Sequence, residues 1–111
     1  MKKEINNWEL IFCTSKADSL DTTLRIIFQD LNDGNIYLIE LVIDSVMSQI
    51  LDDNRKLGKT NELINSIIKR SIHKSKLIED IEKLREYVWN PLDFNSIQDK
   101  IRDIKINQII I

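Results

Sequence analysis

Asp33 and Gly34 stand at the centre of the most apolar stretch of the chain, TTLRIIFQDLNDGNIYLIELVI over residues 22–43. An Asp-Gly pair between two apolar runs favours a tight reversal, because glycine adopts positive φ without penalty and aspartate nearly so. Before it, Leu24, Ile26 and Phe28 alternate with Thr23, Arg25, Ile27 and Gln29; after it, Tyr37, Ile39, Leu41 and Ile43 share one side. That period of two, with β-branched and aromatic residues crowded around a turn, predicts a β-hairpin. A two-residue turn at Asp33-Gly34 sets Phe28 opposite Ile39 and Ile26 opposite Leu41. The rival is an all-α helical bundle, since Leu20, Leu24, Ile27, Phe28 and Leu31 also fit a helical stripe.

Around this hairpin the sequence reads as an α+β domain. Residues 8–14 (WELIFCT) alternate Trp8, Leu10 and Phe12 against Glu9, Ile11 and Cys13, which adds a strand through a polar connection at 15–21. The expected sheet is a three-stranded antiparallel meander over about 8–14, 22–32 and 35–43. Helices are expected over about 45–53, 61–73, 76–89 and 94–105. Asp44 or Ser45 caps the first, Thr60 or Asn61 the second, and Asp93 the last, where Leu92 and Ile97 are placed as a hydrophobic staple. Leu77, Ile78, Ile81, Leu84 and Val88 form the stripe of the third. One sheet face would be covered by helices in two layers. The opposite face, with Arg25, Ile27, Gln29, Leu38, Glu40 and Val42, is half polar and calls for a cover from the C-terminal segment or a partner. The end, KINQIII, suits a fourth strand or an apolar tail.

With 111 residues, 42% of them hydrophobic and 31% charged, the chain is expected to be a single folded domain rather than a disordered one. Glu40 and Asp44 interrupt the best apolar run, so no membrane span is expected, and the start resembles no signal peptide. A cytoplasmic protein is the expectation.

Catalytic chemistry finds little to work with. Cys13 is the one cysteine and lies in an apolar run, as a buried thiol does. His73, the one histidine, sits among lysines without an acidic neighbour. Gly58-Lys59-Thr60 precedes a helix, but the glycine a phosphate-binding loop needs five residues upstream is Asp53. The DLNDGN stretch misplaces its glycine for a calcium loop and puts Leu41 where the twelfth-position Glu belongs. Glu79, Asp80, Glu82 and Glu86 alternate with Lys83 and Arg85 as a solvated helix face. No catalytic residue, metal site or cofactor is expected.

The net charge of −2 conceals a gradient. Residues 17–54 hold Asp18, Asp21, Asp30, Asp33, Glu40, Asp44, Asp52 and Asp53 against Arg25 alone. Residues 55–76 hold Arg55, Lys56, Lys59, Lys69, Arg70, Lys74 and Lys76 against Glu62 alone. Clustered carboxylates suit a basic partner and speed its approach. The expectation is therefore a small protein-binding module of the bacterial immunity or inhibitor kind. Its partner would be a basic toxin domain such as a nuclease, met through Asp30, Asp33, Glu40, Asp44, Asp52 and Asp53. The alternative is a nucleic-acid-binding regulator using the basic stretch 55–76. It lacks interleaved aromatics for base stacking. Tyr87 and Trp89, just before Pro91, suit either a core lid or a partner anchor.

Overall fold

The hairpin forms, two residues out of the expected register. In the computed structural model, which describes residues 7–18 and 21–109, Phe28 pairs with Tyr37, Ile26 with Ile39 and Leu24 with Leu41. Pairing ends at Asp30 and Asn35, where the Asp30 N–H donates to the Asn35 carbonyl at 2.9 Å. The turn is thus the four residues 31–34. Asp30 Oδ1 accepts from the Asn32 N–H and Asp33 Oδ1 from the Asn35 N–H, both at 2.9 Å. Gly34 takes φ 78°. Two side-chain-closed turns win over one tight reversal because this Asp-x-Asn-Asp-Gly-Asn run offers a carboxylate for each. A shift of two leaves every side chain on its expected face, since the strand period is two.

Three long strands and one short one make the antiparallel sheet β1 (Trp8–Asp18), β2 (Asp21–Asp30), β3 (Ile36–Ile43) and β4 (Lys76–Ile78), in that spatial order. The expected polar connection at 15–21 is mostly strand, with Ser15 paired to Leu24 and Asp18 to Asp21. Pairing in β1 slips between Leu10 and Phe12. This bulge breaks the expected alternation. Trp8, Leu10 and Cys13 pack with one core, and Ile11 and Phe12 with the other.

Both sheet faces are covered, so the layers number three, not two. On the first face Leu24, Ile26, Phe28, Tyr37, Ile39 and Ile43 meet Leu51, Ile64 and Ile68. These last come from α1 (Ser45–Lys56) and α2 (Thr60–Ser71). Phe28 and Tyr37 stack across the strands, ring centres 5.6 Å apart. On the second face Ile11, Ile27, Ile36, Leu38 and Ile78 meet Leu84, Phe94, Ile97, Ile101 and Ile104. The C-terminal segment is the cover that the half-polar face required.

Asp44 caps α1, its Oδ1 accepting from the Met47 N–H at 2.8 Å. Gly58 then turns the chain back at φ 71°. The Gly58 N–H donates to Arg55 O and the Lys59 N–H to Asn54 O, a helix-ending motif that occupies both amides. Lys59 precedes α2 without a side-chain cap, so neither Thr60 nor Asn61 serves as expected. The helix expected over 76–89 is replaced by β4 and a 3₁₀ helix, Ile81–Tyr87. Residues 36–38 of β3 have backbone groups to satisfy on their outer edge, and Lys76–Ile78 satisfies them. The 3₁₀ helix is capped by Asp80 and still buries Leu84.

The last helix, α3 (Pro91–Ile109), starts earlier than Asp93. Asn90 Oδ1 accepts from the Leu92 N–H at 3.0 Å, and proline takes the first helical position, where its missing N–H costs nothing. Leu92 is exposed, so the expected staple does not close. Helix continues through residues 105–109, and residues 110–111 lie outside the described part. Among the described residues, no helix is long and apolar enough to cross a membrane.

Candidate interaction surface

One end of the second sheet face carries polar side chains in place of the apolar core. Pairing sets Thr14, Arg25 and Glu40 in one row across β1, β2 and β3, and Lys16, Thr23 and Val42 in the next. The end of the 3₁₀ helix and the stretch after it bring Tyr87 and Trp89 onto this end. The Arg25 guanidinium lies 4.3 Å from the centre of the Trp89 ring and 5.8 Å from that of Tyr87. Its Nε donates to Glu40 Oε2 at 2.6 Å. Lys76 Nζ donates to the Tyr87 hydroxyl at 2.9 Å, which raises the Lys76 pKa above its ordinary value. Lys16 Nζ is 6.0 Å from the Trp89 ring centre. Val42 completes the end at 69% exposure.

Five residues distant in sequence thus form a cationic and aromatic platform, held in shape before any partner arrives. Arg25 is fixed by an ion pair from its Nε to Glu40 and by a ring against its guanidinium. Single-strand pairing patterns do not reveal this set. The usable sign was Arg25, a lone cation on an alternating strand, together with two aromatics just ahead of a proline.

The six acidic residues singled out in the sequence do not converge. Asp30 is only 1% exposed and serves the turn, so it presents no charge to a partner, and Asp33 serves the same turn. Glu40 is committed to Arg25 on the second face. Asp44, Asp52 and Asp53 are exposed on and before α1, over the first face. The basic stretch 55–76 also divides. Arg55 and Lys56 lie in the last turn of α1 and Lys59 just before α2, while Lys69 and Arg70 lie in the last turn of α2, a helix about 18 Å long. Lys76 belongs to the sheet.

Of the reactive side chains, His73 is exposed in the 3₁₀ turn Ile72–Lys74. Cys13 lines a small cavity of about 20 Å³ with Leu24, Leu51, Arg55 and Ile64. Burial pushes its thiol up to about 11, and the Arg55 charge offsets part of that. Among the described residues no three His, Cys, Asp or Glu side chains are grouped to hold a metal ion. No protein-family model, curated protein or solved structure matches the chain.

Proposed function

We propose that this chain is a non-catalytic protein-binding module that meets its partner through the sheet end formed by Lys16, Arg25, Val42, Lys76, Tyr87 and Trp89. The observation that carries the reading is the Arg25–Trp89 stack. Arginine, tryptophan and tyrosine are the side chains that most often dominate binding energy at protein interfaces. Here they are pre-ordered, partly exposed (the Arg25 side chain 18%) and next to an uncovered Val42. Ordering paid in the free protein is not paid again on binding.

Within that class, we propose an inhibitor of the bacterial immunity kind that masks a toxin domain. The state of its reactive groups supports it, with Cys13 held protonated and His73 set in an exposed turn. The contact surface differs from the acidic set that the sequence suggested.

The test is calorimetric binding to the product of the neighbouring gene, with the intact protein and with Trp89→Ala and Arg25→Ala. Each substitution is expected to weaken binding by about 30-fold, the effect of a hot spot near 2 kcal/mol. Binding unchanged by both removes the sheet end, and no binding removes this partner. A second reading rests on the same aromatics lying beside Lys16, Arg25 and Lys76, which is how single-stranded nucleic acid is held. A gel shift with labelled single strands at low salt separates the two.

A further inference from the structure

We infer that the outer edge of β1 is a self-association surface, on which a second copy of this chain adds its own β1 antiparallel about a two-fold axis at Cys13. The inference rests on the strand edge and the charges beside it, not on the sheet end described above, with which it shares only Lys16.

The longest strand, β1, stands at the margin of the sheet with β2 on its inner side. Two hydrogen bonds fix which way its backbone groups turn. The Leu31 N–H donates to Asn7 O and the Asp30 N–H to Asn35 O, both at 2.9 Å. In an antiparallel sheet such bonds alternate between the two neighbours, so odd-numbered residues of β2 bond to β1 and even-numbered ones to β3. Glu9, Phe12, Thr14 and Lys16 face odd-numbered β2 residues and therefore turn inward. The N–H and carbonyl groups of Trp8, Leu10, Cys13, Ser15 and Ala17 turn outward, and among the described residues no hydrogen bond reaches them. Such a row is a template for another strand.

The charges beside the edge select a second copy. Glu9 and Lys16 are exposed on the second face, near opposite ends of the strand. Glu9 faces Gln29 and Lys16 faces Thr23; midway between these on β2 is Ile26, which faces Cys13. A two-fold axis through Cys13, normal to the sheet, sets Lys16 of the second copy opposite Glu9 and Glu9 of the copy opposite Lys16, all on one face. Glu9 also borders an open groove of about 400 Å³ between β1 and α3, lined by Asp99, Asp103 and Lys100. With three carboxylates to one ammonium, this groove favours the incoming lysine. A two-fold contact needs a self-complementary patch, and a strand with opposite charges equally far from its centre is one.

The bulge brings charges and hydrogen bonds into the same register. A strand beside β1 passes Leu10, Ile11 and Phe12 with one residue fewer. On the inner side β2 does so with Phe28 and Ile27; on the outer side the copy does so with Ser15 and Thr14. Trp8 then opposes Ala17, Leu10 opposes Ser15, and Cys13 opposes itself. All of these are outward-turned residues, so each pair exchanges two hydrogen bonds, and no like charges meet. The paired edge is about 30 Å long. A contact one strand wide falls below the area of a standard interface, so the dimer is weak and forms at roughly 0.05–1 mM.

Sedimentation equilibrium of the intact chain tests this. The weight-average mass is expected to rise with concentration from the monomer's 13.1 kDa toward twice that value. Ser15→Pro removes an outward N–H, leaves the bonds to β2 in place, and is expected to hold the mass at one chain. Lys16→Glu opposes like charges at both ends of the contact and is expected to weaken dimerisation by about ten-fold. Adding Glu9→Lys to Lys16→Glu turns each pair round and is expected to recover part of that loss, the rest being withheld by Asp99 and Asp103. A mass flat to about 1 mM, or a rise that Ser15→Pro leaves unchanged, overturns the inference. So does a dimer indifferent to Lys16→Glu, or a double variant no tighter than Lys16→Glu alone. Circular dichroism reports whether Ser15→Pro keeps the fold; where it does not, the charge exchange decides by itself.

Discussion

Trp89 is the wall against which Arg25 is fixed: the guanidinium sits 4.3 Å from the ring centre while its Nε holds Glu40 at 2.6 Å. The two residues are 64 positions apart, so the contact ties the stretch before α3 to the middle of β2. Trp89→Ala removes the ring and leaves Arg25 with Glu40 alone. The expected loss of stability is about 1–2 kcal/mol, from the cation–π contact and the apolar cover together. Urea denaturation followed by Trp8 fluorescence measures it. Arg25→Lys is expected to recover part of the difference from Arg25→Ala, since an ammonium gives a cation–π contact without the planar stack. Equal values for Arg25→Lys and Arg25→Ala would show that the stack contributes nothing.

Phe28 and Phe94 are both fully buried, one on each face of the sheet. Alanine at either is expected to cost about 3–5 kcal/mol, the lost transfer energy plus the cavity left behind. Comparable losses at the two positions establish that both layers of helix are integral to the fold. A loss under 1 kcal/mol for Phe94→Ala would mean that α3 rests loosely on the second face.

The sheet was legible because its signal is local. Leu24, Ile26 and Phe28 alternate, and a period of two survives a two-residue error in register. What escaped was set by competition between distant groups. Leu77, Ile78, Ile81 and Leu84 have helical spacing, yet Lys76–Ile78 joins the sheet because residues 36–38 of β3 had an edge to fill. The β1 bulge escaped because nothing in WELIFC marks which residue slips. The platform escaped for the same reason as β4: Lys16, Arg25, Lys76, Tyr87 and Trp89 meet only after four segments have found their places. The acidic residues show what a sequence leaves open about a carboxylate's second task. Asp30 is buried in the turn, whereas Asp33 and Asp44 are exposed and their carboxylates also close a backbone turn and a helix cap.

Asp44→Ala therefore acts on the helix and not on the charge. Its Oδ1 satisfies the Met47 N–H, and removal leaves that group to water at an expected cost of about 1 kcal/mol. Asp44→Ser keeps the cap while discarding the charge and is expected to stay within a few tenths of a kcal/mol of the parent. Thermal unfolding of the pair against the parent separates capping from electrostatics. If Asp44→Ser loses as much as Asp44→Ala, the charge was the larger contribution.

Gly34 and Gly58 both lie at positive φ, 78° and 71°, and a Cβ at either has room. At Gly34 the nearest atom is Gln29 Nε2 at 4.0 Å, and at Gly58 nothing lies within 4 Å. Steric collision is thus absent, and alanine is expected to cost only the backbone term, about 1 kcal/mol at each site. Asparagine, which tolerates the left-handed region, is expected to cost less than alanine. A cost above 3 kcal/mol for Gly58→Ala would show that the turn between α1 and α2 does more than reverse the chain.

Cys13 gives the fold an alkaline limit that a single substitution removes. Its thiol is raised by burial from 9.0 to about 11, so the folded chain keeps a proton that the unfolded chain releases first. Between those values the native state binds more protons, and stability falls as pH rises. The stabilisation is fully present below pH 9 and lost as pH climbs through 11. Because Cys13 is only partly buried by area, the loss is discounted to about 1–2 kcal/mol. Cys13→Ala has no thiol to titrate, so the difference in stability between parent and variant is expected to narrow or reverse across pH 8.5–11. Lysines and tyrosines titrate in both proteins and cancel in that difference. At pH 8 the folded thiol holds about 100-fold less thiolate than a free one, and its alkylation by iodoacetamide is expected to be slower by at least that factor than in urea. Native and unfolded chains that alkylate at the same rate would mean that Cys13 lies open on β1.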